Sequence, residues 1–216
     1  MIRVKICGIT NLSDARYASA AGAEYLGFVR HAASPRHVTI EVARGLIEWL
    51  YGPETVGVYL DAPSDDVNRD ADRAGFKLVQ LHGDETPEDC ALIERPVIKA
   101  FHVGPDTDAA SVLAAMDRYR GAIGYALLDT RFGSRTGGTG QAFDWNVAAE
   151  VVAGAGDLPV FLAGGLRPEN AADAVTRVSP FAIDVASGVE SSPGLKDYER
   201  IEALLDALAP FRGEQD

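Results

Sequence analysis

One arrangement recurs along the whole chain and constrains its fold: a short apolar, β-branched run, then a polar or glycine-containing loop, then a longer amphipathic segment. Apolar runs of this length predict buried strands, and the amphipathic segments between them predict helices. The predicted strands end about every 25 residues, a spacing typical of βα units with short connections. They comprise residues 2–7, 24–29, 55–60, 77–82, 96–103, 125–129, 159–163 and 181–186.

Near-continuous apolar strands joined by helices predict an α/β fold with a parallel sheet covered by helices. In a chain of 216 residues, these units fit a closed (β/α)₈ TIM barrel near the lower end of its size range. A doubly wound open sheet is the alternative, but it rarely has so many strands in a chain this short. Because no linker or change in composition divides the sequence, we predict a single TIM-barrel domain over residues 1–216.

The charge balance restricts the possible partners. The 20 basic and 32 acidic residues give a formal net charge of -12, which argues against nucleic acid and anionic membranes, because both are bound by clustered Lys and Arg. The sequence has no signal-peptide pattern and no apolar stretch near the roughly 20 residues that span a bilayer. Cys7 and Cys90 are too few for a disulfide framework and lack metal-ligand spacing, so we expect a cytoplasmic protein without a bound metal.

Reactive side chains fall where the predicted strands end. The loops after these strand ends build the active site of a barrel, so such residues are expected to converge on one rim. Cys7 ends the first strand, where a thiol either fills space in the core or acts as a base or nucleophile. The other candidates are Ser34–Arg36 after the second strand, Asp61 after the third, His82 at the fourth, His102 at the fifth and Asp129 at the sixth.

Glycine-rich turns follow the last two predicted strands, at Gly164 and Gly165 and at Ser187 and Gly188. Barrels commonly bind phosphate between these two loops and the N-terminus of a short extra helix, and we expect that helix in VESSPG (189–194). Backbone amides and a helix dipole bind an anion without Lys or Arg, as an acidic protein requires. The alternative is that these glycines only close tight turns.

A second glycine-rich stretch, SRTGGTGQAFDW (134–145), follows the sixth predicted strand. It contains neither GK[ST] nor GxGxxG, the patterns of nucleotide-binding loops. We interpret it as a lid or a substrate-lining loop that leads into a helix capped by Asp144. Glycine-rich disorder is the alternative.

Taken together, the motifs resemble those of the phosphoribosylanthranilate isomerases of tryptophan biosynthesis. The resemblance runs in order over most of the chain, through KICGIT (5–10), SPR (34–36), VQLHGDE (79–85), LLDT (127–130), GGTG..FDW (137–145), LAGGLRPEN (162–170) and D.ASGVE..PG.KD (184–197). It implies a (β/α)₈ barrel without cofactor that acts on a small phosphoribosyl aryl amine. The implied reaction converts N-(5-phosphoribosyl)anthranilate to 1-(o-carboxyphenylamino)-1-deoxyribulose 5-phosphate, an Amadori rearrangement.

The resemblance also implies roles for individual residues. The family's general base falls on Cys7 and its general acid on Asp129, while Arg36 falls where an arginine faces the anthranilate carboxylate. The planar guanidinium suits that carboxylate. A thiolate suits the base if cationic neighbours stabilise it, and the aspartic acid has to be protonated, which requires desolvation or a nearby negative charge. The phosphate-binding turns fall on Gly164, Gly165, Ser187 and Gly188.

Two further residues are placed at the substrate site. Lys5 shares a strand face with Cys7 because it lies two residues earlier, and His82 is expected to orient a loop or support the barrel mouth. The sequence departs from the usual family pattern at Arg30, which replaces an aromatic or aliphatic residue, and at Ala186, which replaces a common serine. We expect Arg30 either to reshape the aryl pocket or to turn outward into solvent.

Two other functions stay open at this point. A lyase-type barrel would form a Schiff base through Lys5 or Lys99. A phosphosugar-binding barrel would bind its ligand without turnover. The family resemblance further suggests a monomer or a homodimer.

Overall fold

The computed structural model describes residues 1–104, 106–129 and 145–213. Eight parallel strands pair in sequence order, and the last strand pairs with the first to close a barrel. The predicted (β/α)₈ fold is therefore confirmed. The barrel strands are β1 (Arg3–Cys7), β2 (Tyr25–Val29), β3 (Glu54–Tyr59), β4 (Leu78–Leu81), β5 (Val97–His102), β6 (Tyr125–Asp129), β7 (Val160–Ala163) and β8 (Ala182–Val185).

Helices follow the strands and cover the outside of the barrel. They are α1 (Leu12–Ala20), α2 (Ile40–Ile47), α3 (Ser64–Ala74), α4 (Pro87–Ala91), α5 (Ala109–Asp117), α6 (Trp145–Gly154), α7 (Pro168–Val178) and α8 (Tyr198–Arg212). Several begin at a polar side chain that accepts a hydrogen bond from the first turn, as Asn11, Thr39, Thr86 and Asp108 do. Such caps satisfy backbone N–H groups that have no partner inside the helix. None of the described helices is long and apolar enough to cross a membrane.

Two apolar layers hold the fold together. The larger layer lies between the strands and the helices, and the smaller one fills the barrel around Phe161, Ile98 and Leu127. Because both faces of a strand are covered, β2 is buried at all five positions, which explains why the strands read as continuous apolar runs. The buried side chains of Lys5, Gln80, Lys99, Asp129 and Asp184 interrupt this apolar core.

The prediction of an extra helix at residues 189–194 is wrong. Ser187–Val189 form a single 3-10 turn, and the chain then makes a two-stranded hairpin of β9 (Glu190–Ser192) and β10 (Leu195–Lys196). Gly194 has a φ of 84°, a left-handed conformation that a helix does not contain. The hairpin also directs the buried side chains of Glu190 and Lys196 into the protein, and these two charges pair with each other. The interpretation of 134–144 as a lid, and Asp144 as a cap, falls on residues outside the described ranges.

Candidate active site

A cavity of about 220 Å³ opens at the carboxyl ends of the barrel strands. Cys7, Arg36, His82 and Asp129 line it, together with the turn residues Gly164, Gly165 and Ser187. Residues separated by more than 100 positions in the sequence thus share one pocket, which is the convergence that their strand-end positions predicted. Two candidates lie elsewhere: Lys5 is buried below the cavity, and Gly188 lines a neighbouring one.

Cys7 lines this cavity, and Lys5 is buried beside it, in contact with Cys7. The Lys5 side chain is completely buried, and its Nζ lies 2.9 Å from Oδ2 of Asp184. Burial raises the pKa of the Cys7 thiol, and the positive charges of Lys5 and Lys196 oppose that rise. Burial alone would lower the pKa of Lys5, but Asp184 and Cys7 raise it above its usual value. Lys5 is therefore an ammonium group that favours the thiolate form of its neighbour.

Gly27 in β2 supplies the space that these two side chains need. A Cβ at this position would lie 2.7 Å from Sγ of Cys7 and 3.2 Å from Nζ of Lys5. Any larger residue would force the thiol or the ammonium group to move. Gly27 was not singled out from the sequence, because only the pairing of β1 with β2 brings it opposite Cys7.

Asp129 ends β6 and is held by His82. The side chain is buried, and Nε2 of His82 lies 2.9 Å from its Oδ2. The other ring nitrogen of His82 lies 2.9 Å from the amide nitrogen of Gln80. Gln80 also lines the cavity but was not predicted from the sequence. It could have been found because it lies two residues before His82, and side chains two apart in a strand point to the same face.

Arg36 reaches the cavity from the loop after β2. Its Nε and Nη2 lie 2.9 Å and 2.5 Å from the two carboxylate oxygens of Glu190 in the hairpin. This two-point hydrogen bond raises the pKa of Arg36. The sequence gives no local sign of this contact, because the two residues are 154 positions apart.

The turns after β7 and β8 meet each other. Gly164 and Gly165 have φ angles of 90° and 65°, which favour glycine. A Cβ on Gly188 would lie 1.9 Å from the carbonyl oxygen of Leu166, so only glycine allows this close approach. Gly165, Ser187 and Gly188 line a cavity between the two turns, and the side chains of Arg167 and Arg200 reach it as well. Sequence reasoning had not included these two arginines.

The remaining candidates from the sequence have other contacts. Neither expectation for Arg30 is met: it does not line the cavity, and its largely buried side chain pairs with Asp70 of α3 at 3.1 Å instead of extending into solvent. Ala186 lines the cavity. Asp61 accepts a hydrogen bond from the backbone of Asp84. Nζ of Lys99 lies 2.6 Å from the carbonyl oxygen of Gly83.

The fold and this site define a (β/α)₈-barrel enzyme in which a thiol, a histidine-bound carboxyl group and an arginine face one pocket. The family model for N-(5′-phosphoribosyl)anthranilate isomerase matches residues 4–207. The chain belongs to this family, whose members are isomerases of tryptophan biosynthesis.

Individual relatives agree with that assignment. The N-(5′-phosphoribosyl)anthranilate isomerase of Geobacter sulfurreducens is 49% identical over 207 residues, covering 95% of this chain and 97% of the relative. A phosphoribosylanthranilate isomerase structure from Thermotoga maritima is 36% identical, with a TM-score of 0.86 over 97% of this chain and 100% of the other. Another structure of this isomerase, in complex with reduced 1-(o-carboxyphenylamino)-1-deoxyribulose 5-phosphate, is 35% identical with a TM-score of 0.84 over the same shares.

Proposed function

We propose that this chain isomerises N-(5-phosphoribosyl)anthranilate to 1-(o-carboxyphenylamino)-1-deoxyribulose 5-phosphate, with Cys7 as general base and Asp129 as general acid. The observation that carries the proposal is that Cys7, Asp129 and Arg36 line one cavity at the strand ends. The structural relative in complex with the reduced product supports the choice of substrate.

The first step needs an acid. Asp129 gives a proton to the ring oxygen of the ribose, the bond from C1′ to that oxygen breaks, and the nitrogen lone pair forms an iminium with C1′. The carboxylate that remains faces His82, whose Nε2 lies 2.9 Å away. A preorganised partner at the point where charge develops is a large source of rate acceleration in enzymes.

The second step needs a base. The iminium makes the proton on C2′ acidic, so a modest base such as the Cys7 thiolate removes it. The electrons of that C–H bond form the double bond of an enolamine, and the iminium nitrogen becomes neutral. Protonation of C1′ and loss of the enol proton from the oxygen on C2′ then give the ketone. Lys5 and Lys196 both favour the thiolate electrostatically.

The two ends of the substrate need separate anchors. Arg36 faces the cavity and suits the carboxylate of the anthranilate ring. The meeting turns around Gly165, Ser187 and Gly188 suit the phosphate, because backbone amides bind such anions. Arg167 and Arg200 line the same cavity, each beside a carboxylate, Glu169 and Asp197, so the backbone amides are the main anion ligands of this proposal.

The test is the loss of substrate fluorescence when purified protein is added to freshly generated phosphoribosylanthranilate. Cys7→Ser and Asp129→Asn are each expected to lower turnover by about 10²–10⁴-fold, the usual cost of losing a general acid or base. Cys90→Ser is the matched control, because it changes the other buried cysteine without touching the cavity. Wild-type protein that binds the substrate without turnover, or full activity in either active-site variant, would contradict the proposal.

A Schiff-base mechanism would instead form a covalent adduct between the substrate and a lysine. Lys5 is paired with Asp184 and Lys99 with Glu85, and both lysine side chains are buried, so neither lines the main cavity. Borohydride added during turnover is therefore expected to form no covalent adduct with either lysine, which mass spectrometry of the digested protein would check.

The oligomeric state stays a prediction of a monomer or a homodimer. One Thermotoga maritima relative is described as monomers generated from a dimeric isomerase, at 35% identity and a TM-score of 0.84. Sedimentation of this chain over a range of concentrations would decide between the two states.

A further inference from the structure

We propose that Glu190 is a specificity-determining positioning residue: with Lys196 as its anchor, it aims Arg36 at the carboxylate of the substrate's aryl group. This inference rests on the proposed function and adds to it the part of the fold that selects an anionic aryl amine over an uncharged one. It also assigns a role to the hairpin of β9 and β10, which the structure has where the sequence had predicted a helix.

Glu190 binds two cations at once. Its two carboxylate oxygens accept hydrogen bonds from Nε and Nη2 of Arg36, and Oε1 lies 2.9 Å from Nζ of Lys196. Although burial raises the pKa of Glu190, Arg36 and Lys196 outweigh that effect and keep it below its usual value. Glu190 is therefore a carboxylate, as bidentate binding of a guanidinium requires.

Lys196 fixes the position of Glu190. The Lys196 side chain is fully buried, and its Nζ also lies 2.6 Å from the carbonyl oxygen of Cys7. Burial lowers the pKa of Lys196, and Glu190 opposes that change. Nζ donates three hydrogen bonds, to Glu190, to Cys7 and to the carbonyl oxygen of Ala186 at 3.4 Å, and so connects the hairpin to the ends of β1 and β8.

The backbone after Cys7 supports Arg36 from the other side. Gly8 has a φ of 79°, and a Cβ there would lie 2.5 Å from Cδ of Arg36. The aliphatic part of Arg36 therefore packs directly on the residue that follows the base. Glycine in the motif KICG is explained by this contact, and a side chain at position 8 would displace the guanidinium.

Among the described residues, this arrangement leaves positive charge and unused guanidinium donors for a ligand. Glu190 uses two of the five N–H groups of the Arg36 guanidinium, so three remain, including both on Nη1. In the cluster of Arg36, Lys196 and Glu190, two positive charges face one negative charge. A substrate carboxylate would balance that excess, whereas an uncharged aryl group would leave it unbalanced beside the cavity.

The test compares two ligands that differ only in the carboxylate. One is the borohydride-reduced product of phosphoribosylanthranilate, and the other is the corresponding reduced compound made from aniline and ribose 5-phosphate. Calorimetric titration gives the affinity of each, independently of turnover. We expect wild-type protein to bind the carboxylate compound more tightly by about tenfold or more, the range for a charge-assisted hydrogen-bonded pair.

Two variants separate position from charge. Glu190→Gln removes the negative charge, and Glu190→Asp keeps it but moves the carboxylate away from Arg36 by one methylene. Both are expected to lose most of the preference for the carboxylate compound while changing the affinity for the aniline compound by less than about twofold. Asp70→Asn is the control, because it breaks the comparable Arg30 pair, which lies away from the cavity lining.

Four results would overturn the inference, each in a distinguishable way. Equal weakening of both ligands would make Glu190 a structural residue of the hairpin. An unchanged preference in both variants would show that Arg36 needs no help from Glu190. If wild-type protein binds neither compound, the proposed function itself fails, whereas binding without discrimination removes only the role of Arg36 and Glu190.

Discussion

The ring of His82 lies between two partners, with Nε2 at 2.9 Å from Oδ2 of Asp129 and Nδ1 at 2.9 Å from the amide nitrogen of Gln80. An amide nitrogen can only donate, so Nδ1 accepts and the ring proton lies on Nε2, which donates to Asp129. A donor at this position stabilises the carboxylate that Asp129 becomes after it gives up a proton. His82 should therefore assist the first step of the reaction, in which Asp129 gives up its proton and becomes negatively charged.

Replacement of His82 by leucine is expected to lower kcat by about 10–100-fold, the cost of one hydrogen bond to a developing charge. KM should change little, because the contact is to Asp129 instead of the substrate. His82→Gln should keep more activity than His82→Leu, since a side-chain amide can still donate. Steady-state kinetics with the fluorescence assay measures both constants.

His102 provides the control for that prediction. Its ring stands edge-on to His82 with the centroids 5.3 Å apart, but it does not line the main cavity. The ligand atoms of His102, His82 and Asp129 all lie within 4.8 Å of one another, but His102 is exposed whereas His82 approaches Asp129 at 2.9 Å. His102→Asn should therefore lower kcat less than His82→Leu does. A rise in KM with unchanged kcat in the His82 variants would instead assign His82 to substrate binding.

The ionisation of the Cys7 thiol can be followed apart from turnover. Because burial raises the pKa of Cys7 above its usual value, only a small fraction is thiolate at neutral pH, and that fraction grows as the pH rises. In Cys90→Ser protein, where Cys7 is the remaining cysteine, we expect the rate of alkylation by iodoacetamide to increase from about pH 6 up to about pH 9 without levelling at pH 8. The profile of kcat/KM should be flatter than that of alkylation, because turnover also requires the protonated form of Asp129, which the same rise in pH removes. Alkylation that levels below about pH 8 would show that the charges of Lys5 and Lys196 outweigh burial.

The fold followed from the sequence because each strand is buried on both faces and is therefore apolar throughout. The hairpin of Glu190 and Lys196 did not, because Glu190 bonds to Arg36, which lies 154 positions away in the sequence. Short sequence patterns cannot predict contacts between residues so far apart in the chain. Cys7 and Asp129 could be singled out because a strand end is visible in the sequence, whereas Gln80 and Gly27 gain their roles only from neighbouring strands.

The buried charges of Lys5 and Asp184 should be tolerated in the fold only as a pair, because removal of either partner leaves the other charge buried and unpaired. The side chains are almost fully buried, and Oδ1 of Asp184 has no hydrogen-bond partner among the described residues. Lys5→Met leaves a buried carboxylate without its cation, and we expect a loss of about 3–5 kcal/mol in the free energy of unfolding.

The double variant Lys5→Met, Asp184→Leu is the comparison for that change. It should be more stable than Lys5→Met alone, because it removes the unpaired charge as well. Urea denaturation followed by circular dichroism measures each free energy. If the double variant is the less stable of the two, the charge of Asp184 is satisfied by something other than Lys5.

The contact of Gly188 with Leu166 allows a test of the phosphate site that leaves the acid and base in place. A Cβ at position 188 would lie 1.9 Å from the Leu166 carbonyl oxygen, so Gly188→Ala has to push the two turns apart. We expect KM to rise by about tenfold or more with a smaller change in kcat, and inorganic phosphate to inhibit more weakly, because the turns would lose their alignment on the anion. Gly45→Ala is the matched control, since nothing lies within 4 Å of a Cβ there. In the exposed helix α2 that change should add about 0.5–1 kcal/mol of stability and leave KM unchanged. An unaltered KM and phosphate inhibition in Gly188→Ala would move the phosphate site away from these turns.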